Sequence, residues 1–148
     1  MHAQHMQRAL DEAKRALELG EVPVGAAVVC GDEVIALAHN ERETTGDPTA
    51  HAEVLAIRRA AKKLGRRRLT GCTLYVTLEP CPMCAGAILN ARIPKVYYGA
   101  RDREMGACGG VLNLFMEDFP THPALVGGVL EEECRGVLSD FFRRLRRI

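Results

Sequence analysis

The segment LEPCPMCAGAI, residues 78–88, constrains the fold of this chain more strongly than any other part of its sequence. Cys81 and Cys84 stand after a short apolar run that is typical of a strand and at the start of a run that is typical of a helix. At a helix N-terminus, unpaired N–H groups and the helix dipole stabilise thiolates. The two cysteines could therefore form a disulfide, a redox couple, half of a structural zinc site or part of a catalytic metal site.

Any further ligands of a metal site must come from elsewhere in the chain. The sequence has no second Cys-x-x-Cys and no histidine pair at zinc-finger spacing, which argues against a closed four-ligand site. His51, in DPTAHAEV, is the best additional ligand because it also stands at the start of a predicted helix. If both helices pack on one sheet, we expect their N-termini to meet at the same edge.

One histidine and two cysteines leave the fourth position of a tetrahedral zinc ion open to water, which is the catalytic arrangement. Glu53 stands two residues after His51, so its carboxylate can exchange protons with that water without being a ligand. The sequence therefore predicts one zinc ion (Zn2+) per subunit, bound by His51, Cys81 and Cys84, with Glu53 as the general acid and base.

Length and composition predict one domain, residues 1–148, with a substantial core, since 47% of the residues are hydrophobic. The net charge is only +1, but basic residues are concentrated in KKLGRRR (62–68) and RRLRR (143–147), which can meet phosphates. Neither an apolar leader nor an apolar run of ~20 residues is present, so we expect a cytoplasmic protein with no membrane partner. In that compartment disulfides are not expected, and Cys30, Cys72 and Cys134 are predicted to be small core residues.

The order of the predicted elements indicates an α/β fold. An N-terminal helix ends near Gly20, a hairpin turns at Gly31, and a second long helix runs from Thr49 to Leu64. A strand, the cysteine-bearing helix and another strand follow, then a short strand in ALVGGVL and a last helix. The apolar face of that last helix comprises Cys134, Val137, Leu138, Phe141, Leu145 and Ile148. We predict a three-layer α/β/α sandwich with a mixed sheet, antiparallel at the first hairpin.

Several segments together resemble one family. The segments EVPVGAAVV, DPTAHAEVLAIR, TLYVTLEPCPMCAGAI, YGARD and LSDFFRRLR are similar, in order and separation, to the bacterial tRNA-specific adenosine deaminases of the zinc-dependent cytidine/deoxycytidylate deaminase-like superfamily. The resemblance covers the chain from about residue 6 to its end. His-x-Glu with Pro-Cys-x-x-Cys indicates a zinc-dependent base deaminase, and the flanking segments narrow the resemblance to the RNA-acting adenosine enzymes.

The resemblance implies a cytidine deaminase-like fold with a five-stranded sheet, and a homodimer. It also implies hydrolytic deamination of adenosine to inosine at the wobble position (34) of the anticodon of arginine tRNA, with zinc-activated water and Glu53 as proton shuttle. Asn40 matches the position that hydrogen-bonds the target nucleoside. The other matched substrate-binding positions are Val22 and Pro23 in the base pocket, Ala52 and Pro80 beside the metal ligands, and Arg101, Asp102, Phe142 and Arg143 near the anticodon loop.

The two basic runs differ in their expected distance from the metal site. The helix from Thr49 to Leu64 is about 24 Å long, with His51 at its start and Arg66–Arg68 beyond its end. We therefore expect the C-terminal arginines, rather than Arg66–Arg68, to approach the target nucleotide. Glu104 stands where the family usually has a basic residue, and a carboxylate there repels phosphate.

Three other functions are compatible with parts of the pattern. The nearest is a zinc-dependent deaminase of a free base or nucleoside, such as guanine or cytosine, built on the same motif. A thiol redox protein would explain a strand followed by Cys-x-x-Cys, but it leaves His51 and Glu53 without a role. A non-catalytic, zinc-stabilised RNA-binding module is the third, and it too gives Glu53 no role.

Overall fold

The computed structural model describes residues 1–147, so the predicted position of Ile148 on the last helix lies outside the described residues. The chain order of elements agrees with the sequence prediction. The elements are α1 (His2–Glu18), β1 (Gly25–Cys30), β2 (Glu33–His39), α2 (Arg42–Thr45), α3 (Ala52–Leu64), β3 (Cys72–Leu78), α4 (Pro82–Ala91), β4 (Lys95–Ala100), a 3₁₀ turn (Leu114–Met116), β5 (Ala124–Val126) and α5 (Glu131–Leu145).

The five strands form one mixed sheet in the order β2-β1-β3-β4-β5. β1 is antiparallel to both β2 and β3, whereas β3, β4 and β5 run parallel to one another. Because β1 and β3 run in opposite directions, the start of β1 and the end of β3 lie at the same edge of the sheet. The predicted α/β fold with a five-stranded mixed sheet is confirmed.

Alternation along the strands provides two apolar faces, and helices cover both. Val28, Leu74 and Val96 point into a core under α3 and α4. Val29 and Tyr75 point into the opposite core, under α1 and α5. The layers are therefore α1 and α5, the sheet, and α3 and α4, as a three-layer sandwich requires.

The close packing of α1 on the sheet depends on Gly25. A Cβ atom at this position would lie 1.9 Å from the carbonyl oxygen of Ala9 and 2.6 Å from the amide nitrogen of Ala13. The glycine of the VPVG segment thus lets α1 lie directly on the first residue of β1, next to the segment that leads into the functional site.

One prediction about the cysteines is wrong. Cys30 and Cys72, expected to be reduced core residues, form a disulfide between β1 and β3. The two residues stand directly opposite each other in the antiparallel pair, with a Cα–Cα distance of 4.3 Å. Spacing along the sequence did not reveal this, because it depends on which strands are neighbours in the sheet. Cys134 is a free, buried thiol, as predicted.

Three smaller details also differ from the predicted elements. The long helix α3 begins at Ala52 rather than near Thr49. The polar loop ERETTGDP contains the four-residue helix α2. The short strand expected in ALVGGVL is limited to β5, three residues long. Among residues 1–147, no helix combines the length and hydrophobicity needed to cross a lipid bilayer.

Candidate metal centre and substrate cavity

The predicted metal ligands meet at the N-termini of two helices. His51 is the N-cap residue of α3, Cys81 is the N-cap residue of α4, and Cys84 lies in the first turn of α4. The His51 Nδ1 atom lies 3.5 Å from Cys84 Sγ and 3.7 Å from Cys81 Sγ. All three donor atoms lie within 4.8 Å of one another. The fold therefore brings together side chains that are thirty residues apart in the sequence.

The geometry of these donors fits a zinc ion. Tetrahedral zinc, with Zn–S of about 2.3 Å and Zn–N of about 2.0 Å, holds sulfur and nitrogen about 3.5 Å apart. The two measured nitrogen–sulfur distances agree with that separation. Two thiolates and an imidazole are also the ligand types that zinc prefers. The residues present therefore fit the predicted group, and they leave one tetrahedral position free for water.

The neighbouring side chains lower the pKa of one of the two thiols. A hydrogen bond from Cys84 lowers the pKa of Cys81 to about 4, and the hydrogen bond with His51 acts in the same direction. The pKa of Cys84 is raised, first by its hydrogen bond to Cys81 and then by burial. The pKa of His51 is also raised, chiefly by its hydrogen bond with Cys81. A cation at this place would stabilise both thiolates, because a metal ion deprotonates a coordinating thiol.

Glu53 lies in the first turn of α3 beside the three donors, and its side chain is buried, with 4% exposure. Burial raises the pKa of its carboxyl group to about 7, and the negative charge on Cys81 acts in the same direction. A carboxyl group with this pKa is present in both protonation states near neutral pH. It can therefore accept a proton and return it, which is the property required of a general acid and base.

A cavity of about 340 Å³ opens above the metal ligands, at the edge of the sheet where β1 begins and β3 ends. We call it the His51 cavity. It is lined by Val22, Val24, Asn40, Arg42, His51, Ala52, Glu53, Leu78, Glu79, Cys81, Asp102 and Met105. Four of the predicted substrate-binding residues, Val22, Asn40, Ala52 and Asp102, are therefore among its walls.

Asn40 is held in place by the backbone around it. Its side-chain nitrogen donates to the carbonyl oxygen of Val22 at 3.3 Å, and its side-chain oxygen accepts from the Arg42 N–H at 3.2 Å. Its own backbone N–H donates to the carbonyl oxygen of Val24 at 3.1 Å. Asn40 is thus an ordered polar group, 5% exposed, on a wall of the His51 cavity.

The other predicted substrate-binding residues lie outside the His51 cavity. Pro23 and Pro80 are buried next to lining residues. The Arg101 guanidinium donates to the Tyr98 hydroxyl and the Gly109 carbonyl oxygen. Phe142 and Arg143 lie on the exposed surface of α5.

The C-terminal arginines nevertheless lie near the segment that enters the cavity. Arg144 Nη1 is 3.8 Å from Glu18 Oε1 at the end of α1, and Val22 follows Glu18 after three residues. Arg67 and Arg68 instead line a groove between α3 and α4, close to the start of β3. The His51 cavity is at the other end of that strand, ~20 Å away for seven residues.

Sequence reasoning missed several residues of this site. Arg42, at the start of α2, and Met105, in the loop after β4, line the cavity from two segments that carry no ligand motif. Glu79 and Glu21 are buried carboxylates, at 2% and 1% exposure, that bind the backbone of these two segments. A charged residue inside an otherwise apolar strand end, as in TLEP, is the signal that could have identified Glu79.

Comparisons with known proteins identify the family of this chain. The family described as MafB19-like deaminase matches residues 1–146. A tRNA-specific adenosine deaminase from Bacillus subtilis (strain 168) is 56% identical over 97% of this chain and 89% of that protein. One from Aquifex aeolicus (strain VF5) is 49% identical over 93% of this chain and 91% of that protein.

The fold comparison gives the same answer. A solved structure from work on A-to-I editing by tRNA:A34 deaminases at the wobble position of transfer RNA has a TM-score of 0.88. It is 45% identical in sequence, and the match covers 91% of this chain and 99% of that chain. Sequence and fold comparisons therefore agree over nearly the whole chain. The chain belongs to the MafB19-like deaminase family and, within it, to the bacterial tRNA-specific adenosine deaminases.

Proposed function

We propose that this protein catalyses the hydrolytic deamination of adenosine to inosine at the wobble position (34) of a tRNA anticodon, with arginine tRNA as the expected substrate. The observation that carries the proposal is the clustering of the His51, Cys81 and Cys84 donor atoms beside an open cavity that His51, Glu53 and Cys81 line. The names of the relatives from Bacillus subtilis and Aquifex aeolicus support adenosine in tRNA as the substrate.

His51, Cys81 and Cys84 would hold one zinc ion per subunit. When bound there, the zinc ion supplies an activated water molecule, because coordination lowers the pKa of water toward neutrality. The positive ends of the α3 and α4 dipoles point at the same place and favour negative charge there. These dipoles are built into the backbone.

Glu53 moves the protons in the proposed reaction. Its carboxylate takes a proton from the attacking water and delivers it to N1 of the adenine as the water oxygen attacks C6. It then takes the proton of the newly formed C6 hydroxyl and delivers it to the departing amino group, so that C6 becomes a carbonyl carbon as ammonia leaves. Adenosine and water give inosine and ammonia, and Glu53 is regenerated. A pKa of about 7 suits both transfers, since neither protonation state is costly to reach.

The walls of the His51 cavity would orient the nucleoside. Asn40 offers an ordered amide, whereas Val22 and Ala52 provide apolar contacts for the flat base. Asp102 also lines the cavity. The remaining predicted residues are proposed to act around the cavity or on the flanking anticodon nucleotides: Pro23, Pro80, Arg101, Phe142 and Arg143. An anticodon base is unpaired, so moving it into a pocket costs less than extracting a paired base.

We further propose a homodimer that forms through the groove between α3 and α4. Val54, Ile57 and Leu89 contribute apolar surface to this groove, and Arg58 and Arg92 add positive charge. The neighbouring segment 111–119 exposes Val111, Leu112, Met116 and Phe119 and carries the acidic residues Glu117 and Asp118. In a two-fold interface the acidic segment of one protomer can meet the basic groove of the other.

Sedimentation equilibrium tests the dimer. We expect twice the 16.2-kDa chain mass for the wild type and a monomer for Phe119→Glu, since Phe119 is 43% exposed within the proposed interface. The control is Val126→Glu on the edge strand β5, where Val126 is similarly exposed at 46%. A monomeric wild type, or equal dissociation by both variants, would refute this interface.

We also propose that residues 1–148 form one deaminase domain that acts in the cytoplasm without a membrane partner. Support comes from the continuous sheet across the chain and from the proposed tRNA substrate. Limited proteolysis tests the domain proposal: a fully folded single domain should resist cleavage throughout its interior. A shorter proteolytic fragment that contains the metal-binding residues and stays folded on its own would contradict the single-domain proposal.

The proposed reaction is tested by supplying competing substrates to the purified, zinc-loaded protein. An anticodon stem-loop with adenosine at position 34, free adenosine, guanine and cytidine are incubated separately, and the products are identified by mass spectrometry. We expect inosine from the stem-loop alone. Activity confined to a free base or nucleoside would favour the alternative of a free-compound deaminase, which the comparisons do not support.

A further inference from the structure

Glu79 connects the metal-ligand turn to the 102–110 loop, which contributes Asp102 and Met105 to the lining of the His51 cavity. It directly precedes the Pro80-Cys81 turn, and its side chain has no exposed surface. Oε1 accepts the N–H of Asp102 at 3.0 Å, while Oε2 accepts the N–H groups of Cys108 at 3.0 Å and Gly110 at 2.7 Å. Hydrogen bonds to a buried carboxylate are about twice as strong as those between neutral groups. The carboxylate therefore holds both ends of the 102–110 loop.

The loop is shaped around this carboxylate. A Cβ atom on Gly106 would lie 2.2 Å from Glu79 Oε2, and one on Gly110 would lie 2.0 Å from the Asp102 carbonyl oxygen. The Ala107 N–H also donates to the Pro80 carbonyl oxygen at 2.8 Å. Only small residues permit this approach, so the loop has little freedom while the carboxylate is in place.

The same loop supplies one rim of the cavity. Asp102 and Met105 line the His51 cavity, and Asp102 Oδ1 accepts the N–H groups of Glu104 at 3.0 Å and Met105 at 3.1 Å. These bonds fix Met105 relative to Asp102. Because the Asp102 N–H is bound to Glu79, the position of the whole rim depends on that carboxylate.

We infer that Glu79 is a positioning residue: it fixes the 102–110 loop relative to the metal ligands, so that Asp102 and Met105 form the rim that receives the RNA next to the target nucleoside. This role rests on the proposed function. Glu79 is not assigned a chemical step, because both of its oxygens are already engaged by loop N–H groups. Its loss should therefore weaken RNA binding more than it slows the reaction of bound RNA.

The replacement Glu79→Gln keeps the shape of the side chain and changes its hydrogen bonding. A glutamine has one accepting oxygen and an N–H₂ group, so at least one loop N–H faces another donor. We expect KM for the anticodon stem-loop to rise roughly 5-fold to 100-fold, because binding must then also order a loosened rim. We expect kcat to stay within about threefold and the zinc content to remain stoichiometric. Hydrogen–deuterium exchange of the 102–110 amides should be faster.

The direction of the change in KM distinguishes a positioning role of Glu79 from an effect of net charge. Removing a negative charge favours RNA binding in general, because phosphates are negative. The control Glu33→Gln makes the same change in charge at an exposed residue that begins β2, whereas the cavity lies beyond the end of β2. We expect Glu33→Gln to leave KM unchanged or slightly lower and loop exchange unchanged. A rise in KM in Glu79→Gln alone therefore cannot be due to charge.

A second variant, Gly110→Ala, keeps the Glu79 carboxylate chemically intact but places a Cβ atom 2.0 Å from the Asp102 carbonyl oxygen and 2.9 Å from Glu79 Oε1, which displaces the loop from the carboxylate. It decides the question if Glu79→Gln does not fold. We expect the same rise in KM and faster loop exchange, with kcat and zinc retained. Unchanged KM and exchange in the folded variants would overturn the inference, as would a joint loss of zinc and kcat. An inactive wild type that still shows faster loop exchange in Glu79→Gln would refute the proposed function and leave the loop contact supported.

Discussion

Replacement of Glu53 by glutamine tests the proposed chemistry most selectively. The side chain keeps its size in a site where it is 4% exposed, but it can no longer accept or release a proton. Glu53 is not one of the three side chains whose donor atoms cluster at the metal site. We therefore expect Glu53→Gln to bind zinc stoichiometrically and to lose most of its turnover.

The structure determines how large the loss should be. General acid–base catalysis contributes about 10²- to 10⁴-fold to a rate. The other carboxylates that line the cavity are already engaged: Glu79 accepts three loop N–H groups and Asp102 Oδ1 accepts two. Because backbone N–H groups hold these carboxylates in place, they are poorly placed to replace Glu53, and we expect kcat to fall about 10³- to 10⁴-fold, equivalent to about 4 to 5.5 kcal/mol in the activation free energy.

The assay is a single-turnover measurement on the anticodon stem-loop, with zinc determined by atomic absorption on the same sample. Glu12→Gln is the control, because Glu12 is also buried, at 7% exposure, but lies on α1 and pairs with Arg15. We expect the control to retain turnover within about twofold. Turnover of Glu53→Gln within tenfold of wild type would refute the shuttle, and loss of zinc would show that Glu53 supports the metal.

Two further predictions concern the basic runs and the disulfide. Replacing Arg143 and Arg144 by alanine should weaken tRNA binding and reduce the slope of log K against log salt concentration by about 1 to 2. Replacing Arg66–Arg68 by alanine should have a much smaller effect on both quantities. Filter binding over a salt series measures both quantities, and equal effects of the two sets of replacements would refute the assignment. Reduction of the Cys30–Cys72 disulfide, which joins residues 42 positions apart, should lower the free energy of unfolding by roughly 4 kcal/mol. Zinc content and turnover should stay unchanged, because the two cysteines lie at the ends of β1 and β3 that are far from the cavity. Denaturant titration with and without reductant measures the first effect, and a loss of turnover on reduction would contradict the second.

The clustering of His51, Cys81 and Cys84 could be predicted from sequence because its signals are local. Each ligand stands at a helix start, and the strand between the two helices implies that both helix N-termini reach one edge of a sheet. The same reasoning placed Glu53 beside His51. Apolar periodicity likewise predicted the order of the elements, since alternation and helical spacing are both properties of short segments.

The disulfide and the cavity rim could not be predicted in this way. Cys30 meets Cys72 only because β1 lies between β2 and β3, and strand order is a property of the whole sheet. Met105 reaches the cavity only because the 102–110 loop folds around the Glu79 carboxylate. In both cases contacts between distant segments decide the outcome. The charged residue in TLEP indicates that Glu79 has a special role, but it does not indicate which loop the carboxylate binds.

We propose that the site formed by His51, Glu53, Cys81 and Cys84 converts a wobble adenosine to inosine in tRNA. The most direct test of this activity is to sequence tRNA after incubation with the purified, zinc-loaded protein. Inosine pairs as guanosine does, so each converted adenosine is read as guanosine. We expect a change from adenosine to guanosine in the sequence at position 34 of arginine tRNA with the wild-type protein and none with Glu53→Gln. An unchanged adenosine at that position after incubation with the wild type would contradict the proposal.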